Sequence, residues 1–303
     1  MTAARPGSGS GGPNGRLVLV ATPIGNLGDL SPRAVSTLQA SDVVCCEDTR
    51  RTRELLSHAG VRHKRLISLN EHNESDRIPG VLARVRIGEL VAVVSDAGTP
   101  GVSDPGGRLV AAAVSEGLVV EAVPGANAAL TALIVSGLPM DRFCFEGFLP
   151  RRGTERHRRI AAIADEERTI LIHESPHRLA ATVTELVDAC GPERPVAVAR
   201  ELTKLHEEIW RGTLKEAADW FAEKPVRGEV VVVIGGAPAT SRSGIGDDEL
   251  GTYLARLLGS GSGVRDAAAA AASELGVSKR RAYASALDIR RSSGAPPRNG
   301  EHG

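Results

Sequence analysis

Leu-Val-Ala-Val-Val-Ser-Asp-Ala-Gly-Thr-Pro-Gly-Val-Ser-Asp-Pro-Gly, residues 90–106, decides the fold. Five apolar residues, Leu90 to Val94, read as a strand buried on both faces, the pattern of a parallel sheet. The run stops at Ser95 and Asp96 and passes into a segment dense in Gly and Pro, which a helix follows through about Glu116. A glycine-rich turn between a strand and a helix lets backbone approach a ligand closely, because no Cβ stands in the way. In an open α/β sheet, ligands bind outside the carboxyl ends of the strands, where this turn falls.

The same alternation extends in both directions. Leu17–Ala21 reads as a strand breaking at Thr22 and Pro23, and Ser31 caps a helix with Pro32 at its first position, running to about Gln39. Val43–Cys46 is a second strand that delivers Glu47, Asp48, Thr49 and Arg50, with a helix from Thr49 to Ala59. Leu66–Leu69 is strand-like, Asn70–Asp76 reads as a polar interruption, and a helix covers Ile78–Ile87. Leu118–Val123 is a strand ending at Pro124 and Gly125, followed by an apolar helix over Ala126–Ser136. Strand and helix in turn predict a mainly parallel sheet covered on both faces.

Near Gly137–Arg142 the pattern restarts. Phe143–Phe145, Thr169–His173, Val196–Ala199 and Glu229–Ile234 are strand-like, with helices near Arg178–Cys190 and Leu214–Glu223. The expected division is a disordered tail at 1–15, an α/β lobe at 16–138, a second at 139–236, a linker at 237–246, a helical module at 247–292 and a tail at 293–303. Helices at Asp247–Leu258 and Val264–Leu275, and a third capped by Ser278 and running to Arg290, suggest a helix-turn-helix-like module.

Composition narrows the function classes. The 303 residues carry 37 Lys plus Arg against 37 Asp plus Glu, so no global basic field attracts nucleic acid and any such contact is local. Cys45, Cys46, Cys144 and Cys190 have neither metal-ligand spacing nor the density of a secreted disulfide scaffold, and read as reduced thiols. With no signal-like start and no apolar run of the roughly 18–20 residues that span a bilayer, the expected place is the cytoplasm, without membrane contact. The one Gly-x-Gly-x-x-Gly, at Gly7, Gly9 and Gly12, precedes the first strand and cannot cradle a pyrophosphate. His173 and His177 are separated by Pro176, which argues against a shared helix face, and no metal is expected.

Four strand-end loops remain: Thr22–Asn26, Glu47–Arg50, Asp96–Pro105 and Pro124–Asn127. Each alone is a tight connection, but together on one sheet edge they point to a site. Asp96 is a carboxylate placed to accept from a ribose or an ammonium group, and Gly98 and Gly101 let main-chain groups reach a small ligand.

These loops carry longer motifs. They are Val-Ala-Thr-Pro-Ile-Gly-Asn-Leu-Gly-Asp at 20–29, Cys-Glu-Asp-Thr-Arg at 46–50, Ser-Asp-Ala-Gly-Thr-Pro-Gly-Val-Ser-Asp-Pro-Gly at 95–106 and Val-Pro-Gly-Ala-Asn-Ala at 123–128. Further on come Phe-Glu-Gly-Phe-Leu-Pro at 145–150, Glu-Ser-Pro-His-Arg at 174–178, Arg-Glu-Leu-Thr-Lys at 200–204 and Arg-Gly-Glu at 227–229. In this order over residues 16–236 the chain resembles the rRNA cytidine 2′-O-methyltransferase branch of the tetrapyrrole methylase superfamily. The resemblance implies a two-lobed α/β class III methyltransferase, a homodimer, with S-adenosylmethionine in the cleft between lobes. It implies cofactor contacts at Thr22, Pro23, Asp96, Ala97, Gly98, Thr99, Asn127 and Ala128, with Glu174, Arg200 and Gly228 from the second lobe. The implied reaction is methylation of a cytidine ribose, position 1402 of 16S rRNA in the small ribosomal subunit.

Transfer of a methyl group to a hydroxyl benefits from a base, and Glu47, Asp48, His72 and Lys204 are the candidates in polar segments beside the expected cleft. For each the competing reading is substrate positioning or structural pairing, such as Glu47 with Arg50; Asp48 or Lys204 is expected to act directly. RNA contact is expected at Arg50 and at the cluster Arg151, Arg152, Arg156, Arg158 and Arg159, with a second basic patch at Lys279, Arg280 and Arg281. The competing reading of each patch is a solvated helix face. With aromatics at 3% of residues, recognition by shape and backbone fits better than a base-stacking groove. Two other functions compete: carbon methylation of a tetrapyrrole, and RNA binding without catalysis. The Arg151–Arg159 cluster argues against the first and the intact 95–106 loop against the second.

Overall fold

Every strand of the first lobe leads into a helix, as the spacing predicts. The computed structural model describes residues 15–224, 226–238, 246–275, 277 and 279–292. Strands β1 (Arg16–Val20), β2 (Val43–Cys46), β3 (Arg65–Ser68), β4 (Leu90–Val94) and β5 (Val119–Val123) alternate with helices α1 (Pro32–Ala40), α2 (Thr49–His58), α3 (Glu74–Arg86), α4 (Gly107–Ser115) and α5 (Ala128–Ser136). The strands form one parallel sheet in the order β3-β2-β4-β1-β5. Alternate side chains supply two cores. Val18, Val44 and Ala92 face Leu38 of α1 and Leu56 of α2, while Leu17, Val43, Val91 and Val93 face Leu82 of α3 and Leu109 of α4. Ser31 caps α1, accepting from the Ala34 amide at 3.1 Å, with Pro32 at the first position.

The second lobe comprises β6 (Phe143–Phe148), α6 (Thr154–Asp165), β7 (Thr169–Glu174), α7 (Leu179–Cys190), β8 (Pro195–Arg200), β9 (Glu208–Thr213), α8 (Leu214–Glu223) and β10 (Val230–Ile234). Its sheet runs β6-β7-β10-β8-β9, parallel only between β6 and β7. One face packs on α6, α7 and α8. The other is covered by α5: Ala129, Ala132 and Leu133 lie against Leu171, Ala197, Ala199, Val231 and Val233. Small residues on both sides let the helix approach the sheet closely. The helix read as the last element of the first lobe is thus a wall of the second, and it ties the lobes through a shared apolar core.

Three elements depart from the sequence reading. Helix α3 begins at Glu74, within the expected polar interruption, because the buried Glu74 carboxylate accepts from the Gly106 and Leu109 amides at 3.0 and 3.2 Å. Edge strand β9 has no counterpart among the expected elements, and helix α6 corresponds only to the alternative reading of the arginine cluster as a helix face. The described residues form two compact units that part after Ala237. In the second unit, α9 (Asp247–Gly259), α10 (Val264–Glu274) and α11 (Lys279–Ser292) bury Leu250, Leu254, Ala271 and Ala286. The Ser278 cap, the side chains of Lys279 and Arg280, most of the expected linker and nearly all of both expected tails lie outside the described residues. All four cysteines are free thiols. Among the described residues no helix is long and apolar enough to cross a membrane, and no cluster of ligating side chains could hold a metal ion.

Candidate active site

The four strand-end loops meet at one edge of the parallel sheet. Thr22 and Gly98 exchange main-chain hydrogen bonds (2.8 and 3.1 Å), and the Thr22 hydroxyl donates to the Ser95 carbonyl at 3.2 Å, which joins the turns after β1 and β4. Gly98 has φ of 80°, a left-handed conformation that side chains disfavour. The Thr99 hydroxyl donates to the Ala126 carbonyl (3.2 Å), and Asn127 caps α5 by accepting from the Leu130 amide (3.0 Å).

Between this edge and the second lobe lies a cavity of about 320 Å³. Ala97, Gly98, Thr99, Asn127 and Ala128 line it from the first lobe, and Glu174 and Gly228 from the second. Its volume falls within the range of small-molecule sites. Beside it is a second cavity of about 410 Å³, lined by Thr22, Pro23, the carboxylates Glu54 and Asp96 and the cations Arg51 and Lys204; Ile24, Ala97 and Glu229 are common to both. Arg200 lines neither cavity, being held by Glu208 at 2.8 Å.

Electrostatics distinguish the expected proton acceptors. Lys204 lies 2.8 Å from Glu201 and 3.2 Å from Glu229. Burial acts to lower its pKa, but the Glu201 hydrogen bond and the Glu229 charge outweigh it, and the ammonium is held above its ordinary range. A proton-accepting role does not fit a lysine kept charged in this way; a positioning role does. Asp48 caps α2, accepting from the Arg50 amide at 2.7 Å, and these bonds depress its pKa. Asp48, and not Glu47, is the partner of Arg50. His72 is exposed and lines neither cavity. The Glu47 carboxyl is raised by burial and by Asp96 and Glu71.

Sequence reasoning missed three residues here. Asp104, on the first cavity, has its carboxyl pushed up to about 6 by burial, with Glu47 adding to the shift. His173 lines the same cavity between the edges of Phe145 and Phe148, and burial lowers its pKa. Arg51 lies 3.4 Å from Asp96. Both His173 and Arg51 sit at strand or helix ends beside recognised motifs, so position along the chain could have suggested them.

The arginine cluster is not one surface. Arg156 is buried, bonded to Glu185 (2.8 Å), the Pro150 carbonyl (3.0 Å) and the Thr182 hydroxyl (2.9 Å), which corrects its expected RNA role. It falls at i−4 from buried Ile160 on α6, so it points inward. Arg159 is tied to Glu146 and Arg158 to Glu155. Arg151 and Arg152 are exposed, with no ion pair among the described residues.

The first cavity suits a cationic cofactor. Ile24, Ala97, Val102 and Ala128 give it apolar wall, and three carboxylates, Asp104, Glu174 and Glu229, face it with no cation of their own on the lining. That set of carboxylates complements the sulfonium and ammonium charges of S-adenosylmethionine. Two α/β lobes enclosing such a cleft define a methyltransferase of the class III architecture. The chain belongs to the tetrapyrrole (corrin/porphyrin) methylase family, whose pattern matches residues 16–218. It is a methyltransferase enzyme, and S-adenosylmethionine is its methyl donor.

Relatives match along nearly the whole chain. A Synechocystis protein named ribosomal RNA small subunit methyltransferase I is 46% identical, covering 91% of this chain and 98% of its own. A Mycobacterium tuberculosis protein of the same name is 44% identical, covering 93% and 98%. The fold is that of uroporphyrin-III C-methyltransferase from Thermus thermophilus, solved with S-adenosylhomocysteine (TM-score 0.53, 20% identity, 73% of this chain and 97% of that one). Cobalt precorrin-4 methyltransferase shares it too (TM-score 0.56, 18% identity, 73% and 94%).

Proposed function

We propose that the chain methylates ribosomal RNA, transferring the methyl group of S-adenosylmethionine to the 2′-hydroxyl of a cytidine at position 1402 of 16S rRNA, in the small ribosomal subunit and in the cytoplasm. One observation carries the reading: the carboxylate-lined cavity shares a wall with a second cavity that bears Arg51 and Lys204. A cationic donor suits the first and a phosphate-bearing nucleotide the second, which sets acceptor beside donor. Bound there, S-adenosylmethionine supplies an activated methyl group. The protein's part is to hold the acceptor oxygen in line at roughly 3–3.5 Å and to take its proton. Lys204, fixed by Glu201 and Glu229, and Arg51 orient the nucleotide phosphate. Exposed Arg151 and Arg152 add contacts to the RNA backbone. Two copies pair in this reading, supported by exposed Leu130 and Ile134 on α5.

The test is to incubate purified protein and labelled donor with small ribosomal subunits and, in parallel, with uroporphyrinogen III. Label on one cytidine ribose, mapped by resistance of its phosphodiester to alkali, is the expected result. Label on the tetrapyrrole, or on an RNA base, overturns it.

A further inference from the structure

The glycine-rich loop on the wall of the first cavity fixes a carboxylate, Asp104, to which the sequence reading assigns no role. Asp104 is bracketed by pinned backbone. The Pro105 carbonyl accepts from the Gly101 amide (3.2 Å), the Gly106 amide donates to Glu74 (3.0 Å), and Ser103 before it is a non-glycine residue with φ of 63°. Strained residues of this kind persist where surrounding structure holds them and cluster at functional sites. The other two carboxylates on the cavity wall are engaged: Glu174 with Arg178 and the Thr182 hydroxyl, each at 2.6 Å, and Glu229 with Lys204. Asp104 has no ion pair among the described residues.

The charged groups around it leave its lone pairs free to take a proton. Glu47 follows β2, Glu71 lies in the turn after β3, and Asp96 follows β4; their negative charges oppose ionisation, and only the Ser95 hydroxyl favours it. Across the cavity the second lobe presents Glu229 and His173, whose burial favours the neutral ring. A base works best with a pKa near the working pH, a condition that neither charged Lys204 nor salt-bridged Asp48 meets.

We propose that Asp104 is the general base of the transfer, its carboxylate taking the proton of the acceptor hydroxyl as that oxygen bonds to the methyl carbon. The electron pair of the broken carbon–sulfur bond stays on sulfur, so a neutral ether and thioether form and the proton leaves later from the Asp104 carboxyl to water. This assignment rests on the ribose reading above. Because the base acts when ionised, turnover rises with pH through the titration of the Asp104 carboxyl in the donor-bound enzyme and levels off above it.

The experiment measures kcat between pH 5 and 9 with the full chain, small ribosomal subunits and saturating donor. The methylated atom is mapped in the same samples. Asp104→Asn is expected to lower kcat by roughly 10² or more and to abolish the acid limb. Glu47→Gln removes the largest like charge beside Asp104 and is expected to move the limb to lower pH. A carboxyl titrating near pH 6 by carbon NMR in the free protein, missing from Asp104→Asn, is the readout independent of turnover. The proposal is overturned by an Asp104→Asn enzyme that retains kcat or the acid limb, by a limb unmoved in Glu47→Gln, or by absence of that titration. Ribose methylated normally by Asp104→Asn refutes the base alone; wild-type methyl on a base or a tetrapyrrole carbon refutes the ribose reading, and the base assignment falls with it.

Discussion

Glu74 is 5% exposed, and one oxygen of its carboxylate accepts from both the Gly106 and the Leu109 amides, at the start of α4. The position before α4 is a glycine and offers no side-chain cap, so a residue from α3 does the capping. Glu74→Ala leaves two enclosed N–H donors without partners, each worth about 1–3 kcal/mol, and removes a negative charge from a helix N-terminus, worth about 0.3–1 kcal/mol. The contributions overlap, so a loss of about 3 kcal/mol is expected. Glu74→Gln keeps an acceptor oxygen and loses mainly the charge, for about 1 kcal/mol. Urea unfolding followed by circular dichroism measures both. The same variants report on function, because the pinned amides terminate the loop carrying Gly98, Thr99 and Asp104. Cofactor affinity should fall with stability in the order wild type, Gln, Ala. An Ala variant within about 1 kcal/mol of wild type, or a Gln variant as damaged as Ala, refutes the capping argument.

Four other outcomes are expected. Arg156→Ala leaves Glu185 without its partner and should cost about 3 kcal/mol in urea unfolding, since that pair is only partly enclosed. Arg151→Ala with Arg152→Ala should leave stability unchanged and reduce the slope of log affinity against log salt for RNA by about 1.4, at roughly 0.7 for each phosphate no longer neutralised. Gly25→Ala sets a Cβ 2.3 Å from Lys204 Cγ and must displace that side chain; stability should change by less than about 1 kcal/mol while turnover falls roughly 10²-fold. Unchanged turnover in that variant removes Lys204 from the positioning machinery. Asp104 also makes a linkage prediction. Its folded pKa is raised, so its stabilising contribution is fully present below its unfolded pKa near 4 and is lost as pH rises through about 6. After discounting for its partial exposure, Asp104→Asn should be more stable than wild type by about 1–2 kcal/mol at pH 8 and equal to it near pH 4.

The first sheet is legible in sequence because its inner strands β2 and β4 are buried on both faces, which leaves short uninterrupted apolar runs, and both fall on the expected residues. What is not legible depends on partners far along the chain. The start of α3 resembles a loop because Glu74 is polar, and its reason for burial is an amide more than thirty residues away. Edge strand β9 carries Glu208 and Arg211 and is only half-buried, so its alternation is faint. Helix α6 could have been found: Arg156, Ile160 and Ile163 lie at helical spacing, and that period also shows that Arg156 faces inward. The cavity residues Ala97 to Thr99, Asn127 and Ala128 are legible through motifs, whereas Asp104 stands out only once the order β3-β2-β4 brings Glu71, Glu47 and Asp96 around it.

A net charge of zero conceals a gathering of carboxylates that follows from this sheet order. Adjacent parallel strands deliver Glu47 and Asp96 to one edge, where they oppose ionisation of Asp104. Arg51, in the first turn of α2, and Lys204, from the second lobe, line the neighbouring cavity together with Glu54, Asp96 and Glu229. Glu229 faces both cavities and pairs with Lys204, so the boundary between the two regions is itself an ion pair. Like charges gathered without a ligand are costly, and a cation entering the first cavity relieves that cost. The same cation lowers the pKa of carboxylates beside it, which favours the ionised form of Asp104 once the cofactor is seated. Loading the donor therefore readies the proton acceptor, and the order of binding that this implies, donor before RNA, can be read from product-inhibition kinetics: S-adenosylhomocysteine should compete with the donor and not with RNA.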